Sequence, residues 1–244
     1  DLKKYSARLG DLIQRDFKNA ELWGIKDPRV CKLLPWWKQV ISEHEIAANF
    51  LIVVRHPMEV ALSLQKRDHF SLEKSLILWV EYNLQAELNT RENNRTVLLY
   101  DDFLSQPAQE LERVEQTLGI TFPIPIEDAA PSINDFLSEG LRHHKQVSLS
   151  ESSTIERISQ DIYECLCKLE NGRRPGKSQI RLDELRHEFD EYRQCWPEFI
   201  MKHLEDVTRE RAAYRMLWKK VSRSISWFIG KPVRYLERLL NRDV

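Results

Sequence analysis

The segment Ala47–Val54, reading AANFLIVV, places the tightest constraint on this chain. It is almost wholly apolar, so a strand formed here must be covered on both faces, as in a parallel sheet packed between helices. Thr96–Tyr100 (TVLLY) reads as a second buried strand, and Leu22–Ile25 as a third that Asp27-Pro28 stops, because proline cannot donate to a ladder. Helical spacing fills the gaps: Leu2–Phe17, Leu33–Glu43 with Pro35 in its first turn, Pro57–Lys66, Ser71–Asn89 and Pro107–Leu118. In Ser71–Asn89 the apolar face is Leu72, Leu76, Trp79, Val80 and Leu84. Strands alternating with helices in this order predict an α/β fold with right-handed crossovers and a parallel sheet.

Past Gly119 the pattern changes. Thr121–Pro131 carries three prolines and reads as a connection, Ile133–Leu141 as a short amphipathic helix, and Arg142-His143-His144-Lys145 as a basic cluster. Ile155–Glu170 and much of Leu182–Trp218 have helical spacing, with Pro197 interrupting the latter. The chain thus divides into an α/β part over 1–145, a helical extension over 146–208 and a basic tail over 209–244. With 42% hydrophobic and 31% charged residues in 244, a sizeable core is affordable and wholesale disorder is excluded. The longest purely apolar run, Phe50–Val54, falls far short of the ~20 residues that span a bilayer. Four cysteines without zinc-site spacing or disulfide density point to a reducing, cytoplasmic setting. No metal is expected, since Cys165 and Cys167 stand two apart on a helix and project to different faces.

Chemistry concentrates where the AANFLIVV strand ends in Arg55, turns at His56-Pro57 and enters a helix bearing Ser63. The carboxyl end of a strand facing a helix amino terminus is where α/β folds bind anions, with N–H groups and the helix dipole pointing outward. An arginine fork and a serine hydroxyl would complete a phosphate site there. A surface arginine and a helix-facing serine are the plainer alternative. Asp101-Asp102, between a strand and a helix, read as structural caps.

Four segments, in order, resemble the sulfotransferases that use 3′-phosphoadenosine 5′-phosphosulfate (PAPS). Arg55, Pro57 and Ser63 match that family's 3′-phosphate motif, a strand ending in Arg-x-Pro with a serine eight residues after the arginine. WGIKDPR (Trp23–Arg29) resembles the strand-end Lys-Asp-Pro-Arg of bacterial members, and LLYDDFLSQP (Leu98–Pro107) a Tyr-(Glu/Asp)-Asp-Leu strand end. FLSEGLRHHK (Phe136–Lys145) resembles a closing Leu-Arg-His-His segment. The resemblance spans about half the chain. It implies a P-loop-kinase-like parallel sheet flanked by helices, with a mostly helical C-terminal region, and sulfuryl transfer from PAPS to a hydroxyl acceptor. On it, Arg55 and Ser63 bind the 3′-phosphate and Lys26 stabilises charge on the sulfuryl group. Asp27 either acts as the base or pairs with Arg29, while Arg142, His143 and His144 either face the nucleotide or form a solvated turn. The family's Ser-Gly-Thr phosphate loop has no counterpart among the seven glycines, so this polypeptide alone is expected to transfer sulfate poorly. A P-loop kinase-like phosphotransferase and a non-catalytic interaction module are the competing readings.

Residues 209–244 hold ten Lys/Arg against three Asp/Glu, whereas the whole chain nets −1. Within them Ser224–Leu240 (SISWFIGKPVRYLERLL) is amphipathic and resembles a tail motif of bacterial glycan-assembly proteins through Ser224, Ser226, Trp227, Pro232 and Arg234. That resemblance implies a surface glycan as acceptor. Residues 224–240 are expected to pack on their own domain, dock on a protein, or lie on the inner face of a membrane. Nucleic acid is not an expected partner, since the positive charge is confined to the tail without an aromatic stacking platform.

Overall fold

The computed structural model describes residues 2–138, 153–169 and 176–194. The chain divides into units Asp1–Asp190 and Glu191–Val244, and the packing below belongs to the first. Its elements in order are α1 (Leu2–Phe17), α2 (Val30–Glu43), β1 (Phe50–Val54), α3 (Pro57–Asp68), α4 (Leu72–Thr90), β2 (Arg95–Leu99), α5 (Tyr100–Ser105), α6 (Pro107–Leu118), α7 (Ile126–Ser138), α8 (Thr154–Cys167) and α9 (Lys177–Gln194). The fold is α/β, mostly helical, with β1 and β2 paired in parallel across Phe50↔Arg95 to Val54↔Leu99. The predicted tail and the segment Arg142–Lys145 lie outside the described residues.

Helix boundaries follow local chemistry. Ser71 caps α4 by accepting the Lys74 N–H at 3.2 Å, Pro57 and Pro107 open α3 and α6, and Gly119 closes α6 at φ 64°. Asp101 and Asp102 do not cap α5: the helix begins at Tyr100, so both carboxylates fall in its first turn, where the dipole favours them. α7 begins at Ile126 and takes in Pro131, so much of the expected connection is helical.

Three expectations about the sheet and its flanks are corrected. Leu22–Ile25 forms no strand; Ile25 is 46% exposed, Gly24 faces open space, and the segment is tied down at Trp23, which stacks on Phe17 with ring centroids 4.5 Å apart. A strand there would need a neighbour to pair with, and the described sheet ends at β1. β1 itself is buried on one face only. Ile52 and Val54 are covered where α4 packs, whereas Leu51 and Val53, 42% and 54% exposed, share the opposite face with Leu98. On that face α6 covers β2 alone, through Leu98, Val114 and Leu118. The third correction is Pro35, which lies in the interior of α2 because the helix starts at Val30.

Proline at that position leaves the Cys31 carbonyl without its helical donor. The Asn89 side chain, from α4, fills the vacancy with a 2.8 Å bond to Cys31 O. One residue type forbidden by local rules thereby becomes a docking point between α2 and α4.

A buried ion cluster joins α4 to β2 and α9. Glu87 is fully buried and accepts from Arg91 at 2.7 Å, Arg95 at 3.3 Å and Arg186 at 3.4 Å. Arg91 also pairs with Asp183 of α9 at 2.6 Å. Apolar packing completes the core through Leu76, Val80 and Leu84 of α4, Ile155, Ile158 and Ile162 of α8, and Leu182 and Leu185 of α9.

The Pro35–Asn89 arrangement makes a defined prediction. Asn89→Ala should cost about 1–2 kcal/mol in a urea melt, because it strands a carbonyl. In a Pro35→Ala background, where residue 35 supplies the N–H itself, the same change should cost less by 0.5 kcal/mol or more, roughly the scale of contacting pairs. Equal losses in both backgrounds would show that the side chain does not stand in for the missing N–H.

Candidate anion site at the carboxyl end of the sheet

The register places Val54 beside Leu99, so the next residues, Arg55 and Tyr100, leave the sheet as neighbours. The Arg55 guanidinium carbon sits 4.6 Å from the Tyr100 ring centroid, a cation–π stack. The chain then turns at His56 and starts α3 at Pro57, which brings Glu59 in the first turn back over the strand end. Arg55 Nε donates to Glu59 Oε2 at 2.7 Å, and the two side chains are 27% and 13% exposed. The Trp79 indole N–H donates to the Arg55 carbonyl at 3.0 Å and anchors the backbone. Arg55 is therefore held by its Nε, its face and its main chain, while neither Nη group has a partner among the described residues.

The helix terminus contributes less than its position suggests. Pro57 has no N–H, Met58 N donates to His56 Nδ1 at 3.3 Å, and Glu59 and Val60 both donate to the His56 carbonyl. Their donors are already engaged, so capacity for an anion rests on the Arg55 side chain. Ser63 is half-buried one helical turn beyond Glu59, on the same face of α3. Its hydroxyl makes no hydrogen bond among the described residues.

The other predicted site residues are placed as follows. Lys26 is exposed, and no hydrogen bond or ion pair joins it or Asp27 to the Arg55 group. Asp27 accepts from the Arg29 side chain at 2.6 Å and from its backbone N–H at 2.8 Å, which holds its carboxyl down to about 2. Of its two expected roles, the pairing with Arg29 is the one this geometry displays. Arg142, His143 and His144 lie outside the described residues.

Three neighbours of the site had no role in the sequence reading. Glu59 was legible in principle, since an arginine and a glutamate four apart at a helix start can pair. Tyr100 needed the strand register. Tyr163, whose ring meets His56 edge-on at 5.0 Å, comes from α8 and left no local signal. Burial pushes the Tyr163 phenol up, and burial together with Glu59 pushes the Asp101 carboxyl up, against the pull of Arg55 and His56. A cleft of about 210 Å³ lies along β2, lined by Thr96, Asp102, Glu110, Arg113 and Cys167, and does not include Arg55. Among the described residues no helix is long and apolar enough to cross a membrane, and no cluster of three metal-ligating side chains occurs.

His56 makes the local structure sensitive to pH. Its Nδ1 lone pair caps α3, so the ring must be neutral there, and burial lowers its pKa from the ordinary 6.5. With the folded value below the unfolded one, stability is full above pH 6.5 and is lost as pH falls below it. His56→Asn keeps a capping side chain and removes the titration. Melting temperatures from about pH 8 to 5 should fall less steeply for the variant than for the parent. Parallel profiles would refute the linkage.

No family model, curated protein or solved structure matches the chain.

Proposed function

We propose that this chain is a PAPS-dependent sulfotransferase-like domain in which Arg55 and Ser63 take the nucleotide's 3′-phosphate. The observation that carries the reading is the state of Arg55. It stands at a strand end with neither Nη group partnered among the described residues, held against the face of α3 that also bears Ser63. Two parallel Nη–H donors suit a phosphate fork, and the serine hydroxyl adds a neutral donor. The resemblance carried by Trp23–Lys145 supplies the identity of the nucleotide and the P-loop-kinase-like form of the fold.

Sulfuryl transfer displaces the bisphosphate as the acceptor hydroxyl attacks sulfur, so cationic charge must face the transferring group. Exposed Lys26 is the residue for that role in this reading. The backbone cradle for the 5′ end is not encoded in these residues. In the proposed arrangement a further strand carrying it pairs with the outer edge of β1, where the outward Leu51 and Val53 backbone groups have no partner among the described residues.

Binding of adenosine 3′,5′-bisphosphate and adenosine 5′-monophosphate to the full chain tests the reading. The bisphosphate should bind more tightly. Arg55→Ala should weaken it by about ten- to a hundredfold, the equivalent of a charge-assisted bond, and Ser63→Ala by about fivefold. Equal affinity for the two nucleotides, or a preference that survives Arg55→Ala, would overturn it.

A further inference from the structure

We propose that Glu59 and Tyr100 are positioning residues that hold the Arg55 guanidinium as a two-pronged anion fork, with both Nη groups left without a partner among the described residues. The inference rests on the reading of Arg55 as a phosphate ligand and adds to it how the fork is formed and why it is selective.

An unconstrained arginine has several rotatable bonds, and fixing them on binding opposes affinity. Here most of that ordering is already in place. Glu59 Oε2 takes the Nε–H at 2.7 Å, and Nε is the one donor whose capture leaves both Nη groups free. The Tyr100 ring, its centroid 4.6 Å from the guanidinium carbon, supports the group from the side. The Trp79 bond to the Arg55 carbonyl at 3.0 Å fixes the root of the side chain. A carboxylate on an arginine commonly engages an Nη or forks across two nitrogens, as Asp27 does on Arg29 and Glu87 on Arg91 elsewhere in this chain. At Arg55 the contact is confined to Nε.

A carboxylate beside an anion site can act in two opposite ways. As a competitor it occupies the arginine and repels the ligand, so any neutral replacement tightens binding. As a positioner it must be replaced by another acceptor if binding is to survive. Glu59→Gln keeps an oxygen for the Nε–H and removes the charge, whereas Glu59→Ala removes both.

The experiment titrates adenosine 3′,5′-bisphosphate into the full chain and its variants, with adenosine 5′-monophosphate as reference and thermal melts to verify folding. Glu59→Ala should bind the bisphosphate at least threefold more weakly than the parent, and Glu59→Gln should restore or exceed the parent affinity. Tyr100→Leu should weaken it about three- to tenfold, with Tyr100→Phe, which keeps the ring, recovering most of the loss. Arg55→Lys, with the charge but no fork, should bind at least tenfold more weakly, and this variant decides the matter if Glu59→Ala fails to fold. Glu59→Ala binding as tightly as the parent or more so would make Glu59 a competitor and overturn the inference, as would unimpaired Arg55→Lys. In either case loss of binding in Arg55→Ala would leave the phosphate reading standing. No preference for the bisphosphate in the parent chain would overturn both.

Discussion

A fully buried carboxylate, Glu87, is the point on which the packing of this unit depends. Left alone in the core it would be expelled or neutralised, since burying a charge costs several kcal/mol even after relaxation. It is tolerated because three guanidiniums converge on it from different parts of the chain: Arg91 on the same helix, Arg95 at the start of β2 and Arg186 on α9. Arg95 also donates to the Glu87 carbonyl at 2.6 Å and to Thr90 Oγ1 at 3.1 Å, which ties the entry of β2 to the last turn of α4. Buried ion clusters often add no more net stability than apolar residues of equal volume would. What this one adds is uniqueness of arrangement, because moving α9 or β2 by one residue would leave an unpaired charge inside the protein.

From that fixed point the two edges of the sheet receive different treatment. The ladder begins with Phe50 N–H donating to Asn94 O, so Leu51 and Val53 direct their backbone groups outward from β1 while Val97 directs its own outward from β2. On the β2 side Arg113 of α6 donates to Val97 O at 2.7 Å and to Thr96 Oγ1 at 3.1 Å, and α8 packs nearby. The result is a blunted edge, one of the ways proteins prevent stray strand pairing. On the β1 side the backbone edge and two apolar side chains remain open among the described residues. A two-stranded sheet gains stability from helices or from further strands. Here the helices serve β2 on both faces and β1 on one.

How much of this was legible in the sequence depended on the range over which each signal acts. Ser71, Pro57, Pro107 and Gly119 announce helix ends because each satisfies or forbids hydrogen bonds within one turn of itself. β1, β2 and their parallel pairing were readable from apolar runs separated by helical spacing. The extended Trp23–Asp27 segment misled because its composition suits a strand while strand formation also requires a neighbour. Pro35 misled for the complementary reason: its cost inside α2 is offset by Asn89, which lies far along the chain and has no local signature. The site divides in the same way. Arg55 and Ser63 were expected from the strand-to-helix turn and the family resemblance and Glu59 is a local helix partner, whereas Tyr100 depends on register and Tyr163 on the packing of α8.

Charge arithmetic explains why Arg55 needs preorganisation at all. A phosphate about 4 Å from the guanidinium gains about 4 kcal/mol per unit charge at an effective dielectric of 20, while a carboxylate about 6 Å from the phosphate takes back about 3. With Glu59 bonded to the same guanidinium, the Arg55–Glu59 pair together contributes only about 1 kcal/mol of net attraction. What the arginine adds is directional: two parallel donors at a fixed orientation, which a phosphate can use and a spherical chloride uses less completely. Affinity for an anion here must then draw on further cations. In the proposed function these are Lys26 and the basic residues Arg142, His143 and His144, an arrangement that would separate recognition of phosphate geometry from the supply of charge.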